Sequence, residues 1–153
     1  MVKNKYHLVF AGIIIILRVF FVGKIATLKK GKILCFGSNM MGDSEGVVPG
    51  IHAEHNALTK LKPLKIKKKL EPINILVIRL SKTNKIQSSK PCINCIQVMD
   101  FLPEKKGYKL QNIYYSESSG NIIKTTLNNL KMEEPHYSKY SKYNKHKNEK
   151  MQK

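Results

Sequence analysis

Two short stretches of this chain carry metal chemistry: His52-Ala53-Glu54, and, well downstream, Pro91-Cys92-Ile93-Asn94-Cys95. One imidazole and two thiols are the ligand types that zinc prefers. If both stretches open helices that start side by side, His52, Cys92 and Cys95 converge on a single Zn²⁺. A structural zinc site is closed by four protein ligands, whereas a catalytic one has three and a water, and no fourth cysteine lies near either stretch to close the set. Two thiolates and a hydroxide make such a cluster formally about −1, and the unpaired N–H groups of two helix starts suit that charge. Zinc lowers the pKa of its water towards about 7, so a carboxylate beside the metal, but not bound to it, can take a proton and later return it. Glu54 is two residues from His52 and in the same first turn. His55 points away by about 100° per residue and reads as a surface position. Either motif alone is ambiguous: the first could be an ordinary helix start, the second a redox pair, a structural zinc site or two core thiols. The two in this order, each behind turn residues and separated by a strand, carry the reading.

The elements that must position these groups follow from the pattern. From about Val19, "VFFVGKIATL", the polar turn "KKGK" with Gly31 suited to positive φ, and "ILCFGSN" read as a β-hairpin. Met40 to Gly50 is a loop rich in glycine and acids. His52 to Leu61 has helical spacing of Ala53, Ala57, Leu58 and Leu61, limited by Pro63. Lys60 to Lys69 carries six lysines, a solvated linker and also the best candidate for an anion-binding patch. Ile73 to Leu80 is a β-branched apolar run, placed centrally in a sheet. Pro91 is expected at the first position of a second helix, with Cys92, Cys95, Ile96 and Met99 on one face and Pro103 as its stop. Leu110 to Ser116 is a strand, Gly120 marks a turn, and "IIKTTLNNL" ends in a strand or short helix. Strands alternating with helices predict an α/β fold, a three-layer α/β/α sandwich around a mixed central sheet.

At 153 residues and 42% apolar content, the chain fits one domain with a tail. The expected division is an apolar segment over 1–22, a zinc domain over 23–130 and a basic disordered tail over 131–153. Through Val22 the first segment contains Arg18 and falls short of the roughly 20 apolar residues that span a bilayer. A buried first helix is therefore favoured over a membrane anchor. From Lys131 on, tyrosines and lysines replace aliphatic residues, too few to offset the entropy of ordering. The formal charge of +18 favours anionic partners, and its lysine bias suits diffuse phosphate attraction more than bidentate base reading. The lysine-rich segments are candidates for contact with RNA or single-stranded DNA. Three cysteines argue against a disulfide framework and for a reducing, cytoplasmic compartment.

The stretches "HAEHNAL", with its Asn56-Ala57 pair, and "PCINC" resemble the two motifs of the zinc-dependent cytidine and deoxycytidylate deaminase superfamily. "GKILCFGSN" resembles the hairpin before the first motif and "NIYYSESSG" the strand after the second, so the likeness runs from roughly Ile25 to Leu130. It implies a cytidine-deaminase-like fold and hydrolytic deamination of a cytosine-type base, in a free nucleoside or nucleotide such as dCMP. His52, Cys92 and Cys95 would hold zinc, Glu54 would shuttle protons, Asn39 would contact substrate, and copies would associate as a homo-oligomer. The chain departs from the family in its heavy apolar N-terminus, in having no second metal set after Asn39, and in a longer, lysine-rich stretch between the motifs, expected to reshape the pocket rim. A base within a nucleic acid as substrate, or a zinc-stabilised binding module without activity, are the alternatives.

Overall fold

In a computed structural model, residues 24–30, 32–40, 42, 50–65 and 69–138 are described. They form β1 (Lys24–Lys29), β2 (Lys32–Ser38), α1 (Ala53–Lys60), β3 (Glu71–Leu80), β4 (Ile86–Gln87), α2 (Ile93–Lys105), β5 (Tyr108–Ser116), β6 (Ile122–Thr125) and α3 (Leu127–Met132). The sheet order is β2-β1-β3-β5-β6, with β4 added to the end of β3. Among the described strands only β3 and β5 pair in parallel, which requires a crossover, and α2 supplies it. The other pairs are antiparallel, so the sheet is mixed, as expected.

Strand β3 is central because its side chains need cover on both faces: Ile73, Ile75, Leu76, Val77 and Ile78 are all buried. Alternation along the strand splits them. Ile75 and Val77 join Ile113 and Tyr115 of β5 in the cluster that receives Ala53, Ala57 and Leu58 of α1, Ile96 and Met99 of α2 and Leu130 of α3. Burial of each large aliphatic side chain there contributes about 1.5–3 kcal/mol. Leu76 and Ile78 face the other way, with Ala26 and Leu28 of β1, in a cluster whose members are all strand residues. The segment 1–22, expected to supply a helix, lies outside the described residues, as does Gly31. No helix among the described residues is long and apolar enough to cross a membrane.

One glycine sets how α1 meets the sheet. A Cβ on Gly37 of β2 would collide with the Ala53 carbonyl oxygen and lie 2.5 Å from Ala57 N. Ala53 and Ala57 are themselves almost wholly buried, so the helix rests nearly backbone to backbone on the strand. Cys35 Sγ adds a hydrogen bond to Ala57 O at 3.3 Å.

Several boundaries differ from the sequence expectation. Pro91 precedes the cap of α2 instead of occupying its first position, and Cys92 is the cap. Pro103 does not stop α2, which continues to Lys105. A proline in the last turn forfeits one bond of a helix about to end anyway; Gly107, at φ +86°, makes the left-handed exit. In the hairpin Lys30 takes positive φ, at 48°, and the expectation for Gly31 falls outside the described residues. The segment "IIKTTLNNL" is both alternatives in turn, β6 and then α3. Past residue 130, Lys131 pairs with Asp100 at 2.6 Å and Glu133 with Lys90 at 2.6 Å. Charge pairs hold this stretch where aliphatic burial does not.

The close approach at Gly37 yields a test. Gly37→Val should lower stability by about 2 kcal/mol or more, since overpacking of this kind cannot be relieved by a side-chain rotation. Thermal unfolding should show a fall of several degrees in Tm; an unchanged Tm would contradict the packing.

Candidate metal centre

Helices α1 and α2 lie on the same face of the sheet with their N-termini side by side. His52 is the cap of α1, in extended conformation at φ −69°, ψ 153°, and Cys92 is the cap of α2 at φ −80°, ψ 167°. His52 Nδ1 is 3.2 Å from Cys95 Sγ and 3.4 Å from Cys92 Sγ, and the two sulfurs are 3.6 Å apart. Tetrahedral zinc, with Zn–N near 2.0 Å and Zn–S near 2.3 Å, has ligand–ligand edges of about 3.5 Å for N···S and about 3.8 Å for S···S. The three atoms therefore outline one face of a zinc tetrahedron. Among the described residues this is the cluster fit to hold a metal ion. Cys35, bonded to Thr27 and Ala57, takes no part.

Placing ligands at cap positions has a structural consequence. Caps are usually Ser, Thr, Asp or Asn because their oxygen accepts an orphan N–H of the first turn. Neither His52 nor Cys92 makes a side-chain cap bond. Other residues do it for them. Asn39 Oδ1 accepts from Ala53 N at 2.8 Å, and the His136 carbonyl accepts from Ile93 N at 2.9 Å. Asn39, expected to touch substrate, is thus also the residue that finishes the His52 helix, which leaves its amide NH₂ as the group for any outward contact.

The approach to each ligand is fastened separately. Met40 and Ile51 exchange backbone bonds at 2.8 and 3.0 Å, pinching shut the loop before His52, and buried Asn56 accepts from Ser38 N at 3.3 Å. On the α2 side, Ser89 Oγ donates to Val77 O at 2.8 Å, lies 2.9 Å from Ser116 Oγ and accepts from Ser116 N at 2.8 Å. This buried serine pair ties the segment before Cys92 to the ends of β3 and β5. Sequence reading missed Ser89, Ser116, Glu133 and His136; small polar residues at strand ends carry no periodic signal, and the backbone carbonyl of His136 carries none at all. His55 is exposed, as expected.

The electrostatics are those of a site built around negative sulfur. Cys92 is held down to about 4, chiefly by the hydrogen bond from the Cys95 thiol and then by that from His52. Cys95, facing the resulting thiolate, is pushed up. His52 is raised, first by its hydrogen bond to Cys92. Glu54 is only 7% exposed, and burial raises its carboxyl above the usual range against smaller opposing effects of its own backbone N–H and the His52 charge. It sits beside the three ligands and is not one of them.

No protein-family model matches the chain, and no curated protein matches it. The centre consequently stands on its geometry and on the chemistry of its donors.

Because the ligating forms are neutral imidazole and two thiolates, protons compete with metal. Raised pKa values at His52 and Cys95 mean that protons must be displaced near neutral pH, so zinc affinity should climb as pH rises and fall as it drops. Metal retained after dialysis at stepped pH should be near one zinc per chain at about pH 8 and decline steadily on acidification; retention independent of pH would contradict this ligand set.

Proposed function

We propose that this chain is a zinc-dependent hydrolase that deaminates a cytosine-type base, most simply in a free nucleoside or nucleotide such as dCMP. The observation that carries the reading is Glu54: a carboxyl only 7% exposed, its pKa raised by burial, two residues from one candidate metal ligand. Burying a carboxyl is costly, and a purely structural zinc site has no use for it. The motif resemblance supports the same reading.

A zinc ion on His52, Cys92 and Cys95 would supply the Lewis acidity that makes water a nucleophile near neutral pH. The proton work falls to Glu54. As the water oxygen bonds to the amino-bearing carbon, Glu54 receives a proton and passes it to the adjacent ring nitrogen. The second water proton goes by the same carboxyl to the amino group, the C–N bond breaks, ammonia leaves and the carbonyl forms. Base plus water becomes the keto base plus ammonia, and Glu54 ends as it began. A carboxyl lifted towards the working pH suits both directions of transfer. Asn39 NH₂ is the proposed donor to substrate. The lysine-rich connection leaves the far end of α1, about 12 Å along the helix from His52. Its described lysines, Lys62, Lys65 and Lys69, follow that far end, which supports a small substrate at the ligands.

Zinc-replete protein offered dCMP, deoxycytidine and cytidine should release ammonia with loss of absorbance from at least one. Glu54→Gln should keep zinc and Tm while the rate falls by on the order of 10²–10⁴-fold, the usual worth of a general acid–base group. Silence on all three substrates with zinc bound, or full activity in Glu54→Gln, would refute the reading; zinc without turnover is what a binding module predicts.

A further inference from the structure

The two ends of the sheet differ in chemistry. At one end the helix caps gather the metal ligands. At the other, five chain segments meet: the β1–β2 turn, the connection leaving α1, the start of β3, the end of α2 and the start of β5. The meeting is fixed by Leu64 N donating to Lys106 O, Glu71 N to Gly107 O, each at 3.0 Å, and Tyr108 OH to Lys62 O at 3.0 Å.

Lysine dominates this pole. Lys30 and Lys32 flank the turn, Lys60, Lys62, Lys65 and Lys69 come from the connection, and Lys105 and Lys109 end α2 and enter β5; all are exposed. Two further lysines serve the fold. Lys29 pairs with Glu71 at 3.0 Å, and Lys106 Nζ caps the end of α1 through Leu61 O at 2.7 Å. Beyond Glu71, the carboxylate here is Glu104. Crowding exposed like charges works against the fold. A polyanion laid across them would relieve it.

We propose that this pole is a docking surface for the phosphodiester backbone of a single-stranded nucleic acid, separate from the metal centre and independent of its activity. Lysine point charges suit phosphates without reading bases. Phe101, 47% exposed with Lys105 Nζ 5.2 Å from its ring centre, borders the pole on α2 and offers the kind of aromatic surface on which unpaired bases stack. An anionic lipid surface offers the same charge but no unpaired bases to meet Phe101.

The test uses full-length, zinc-loaded protein and labelled oligo-uridylate and oligo-thymidylate, with phosphatidylglycerol vesicles as a third arm, titrated across salt. Wild type should bind one or both oligonucleotides with steep salt dependence. The triple variant Lys62→Glu, Lys65→Glu, Lys69→Glu should weaken binding tenfold or more and flatten the slope of log K against log salt by about 2, at about 0.7 for each phosphate no longer neutralised. Its zinc content and its turnover of dCMP should match wild type. A matched triple, Lys139→Glu, Lys142→Glu, Lys145→Glu, makes the same charge change in the C-terminal tail and should weaken binding far less. Equal weakening in both triples, absence of oligonucleotide binding, or binding to vesicles alone would each overturn the proposal. Binding is read without catalysis, so failure of the deaminase assay leaves it standing.

Discussion

Both ligand helices begin on residues that cannot cap them. A helix start leaves N–H groups that must find acceptors. His52 and Cys92 occupy the positions where an oxygen would ordinarily supply one, yet their side chains turn towards each other. The acceptors arrive from elsewhere in the chain, Asn39 from the end of β2 and the carbonyl of His136 from beyond α3. The candidate metal ligands and the cap acceptors are thereby different residues, and the arrangement holds only if those distant segments are brought back to the helix starts.

The fold is organised to do that. Gly37 lets α1 lie against β2, which aims its start at the same end as the Asn39 side chain. The parallel pairing of β3 and β5 forces a crossover, and α2 begins at the sheet end where Ser89 and Ser116 bind each other. Each helix thus runs from the metal pole to the lysine pole. The helix N-termini favour negative sulfur at the first, and their C-termini favour cations at the second, where Lys60 and Lys105 fall in last turns.

Much of this was legible in the sequence. The clustering of His52, Cys92 and Cys95, the central β3 and the mixed sheet followed from residue type, spacing and β-branched runs, because those signals are local. What escaped was non-local. Pro103 looks like a stop, but its position relative to Gly107 decides what it does. The stretch 131–138 has no aliphatic run, yet Lys131, Glu133 and the His136 carbonyl meet Asp100, Lys90 and the Ile93 N–H in and just before α2. Lys62 and Lys65 are close to the first motif in sequence, and one short helix carries them to the opposite end.

Three protein ligands, His52, Cys92 and Cys95, would leave a zinc ion one position for a light atom. Zinc K-edge X-ray absorption on the purified chain tests it directly. The account predicts a shell of two sulfurs near 2.3 Å and two nitrogen or oxygen atoms near 2.0 Å. A four-sulfur shell, or zinc held by light atoms alone, would contradict it.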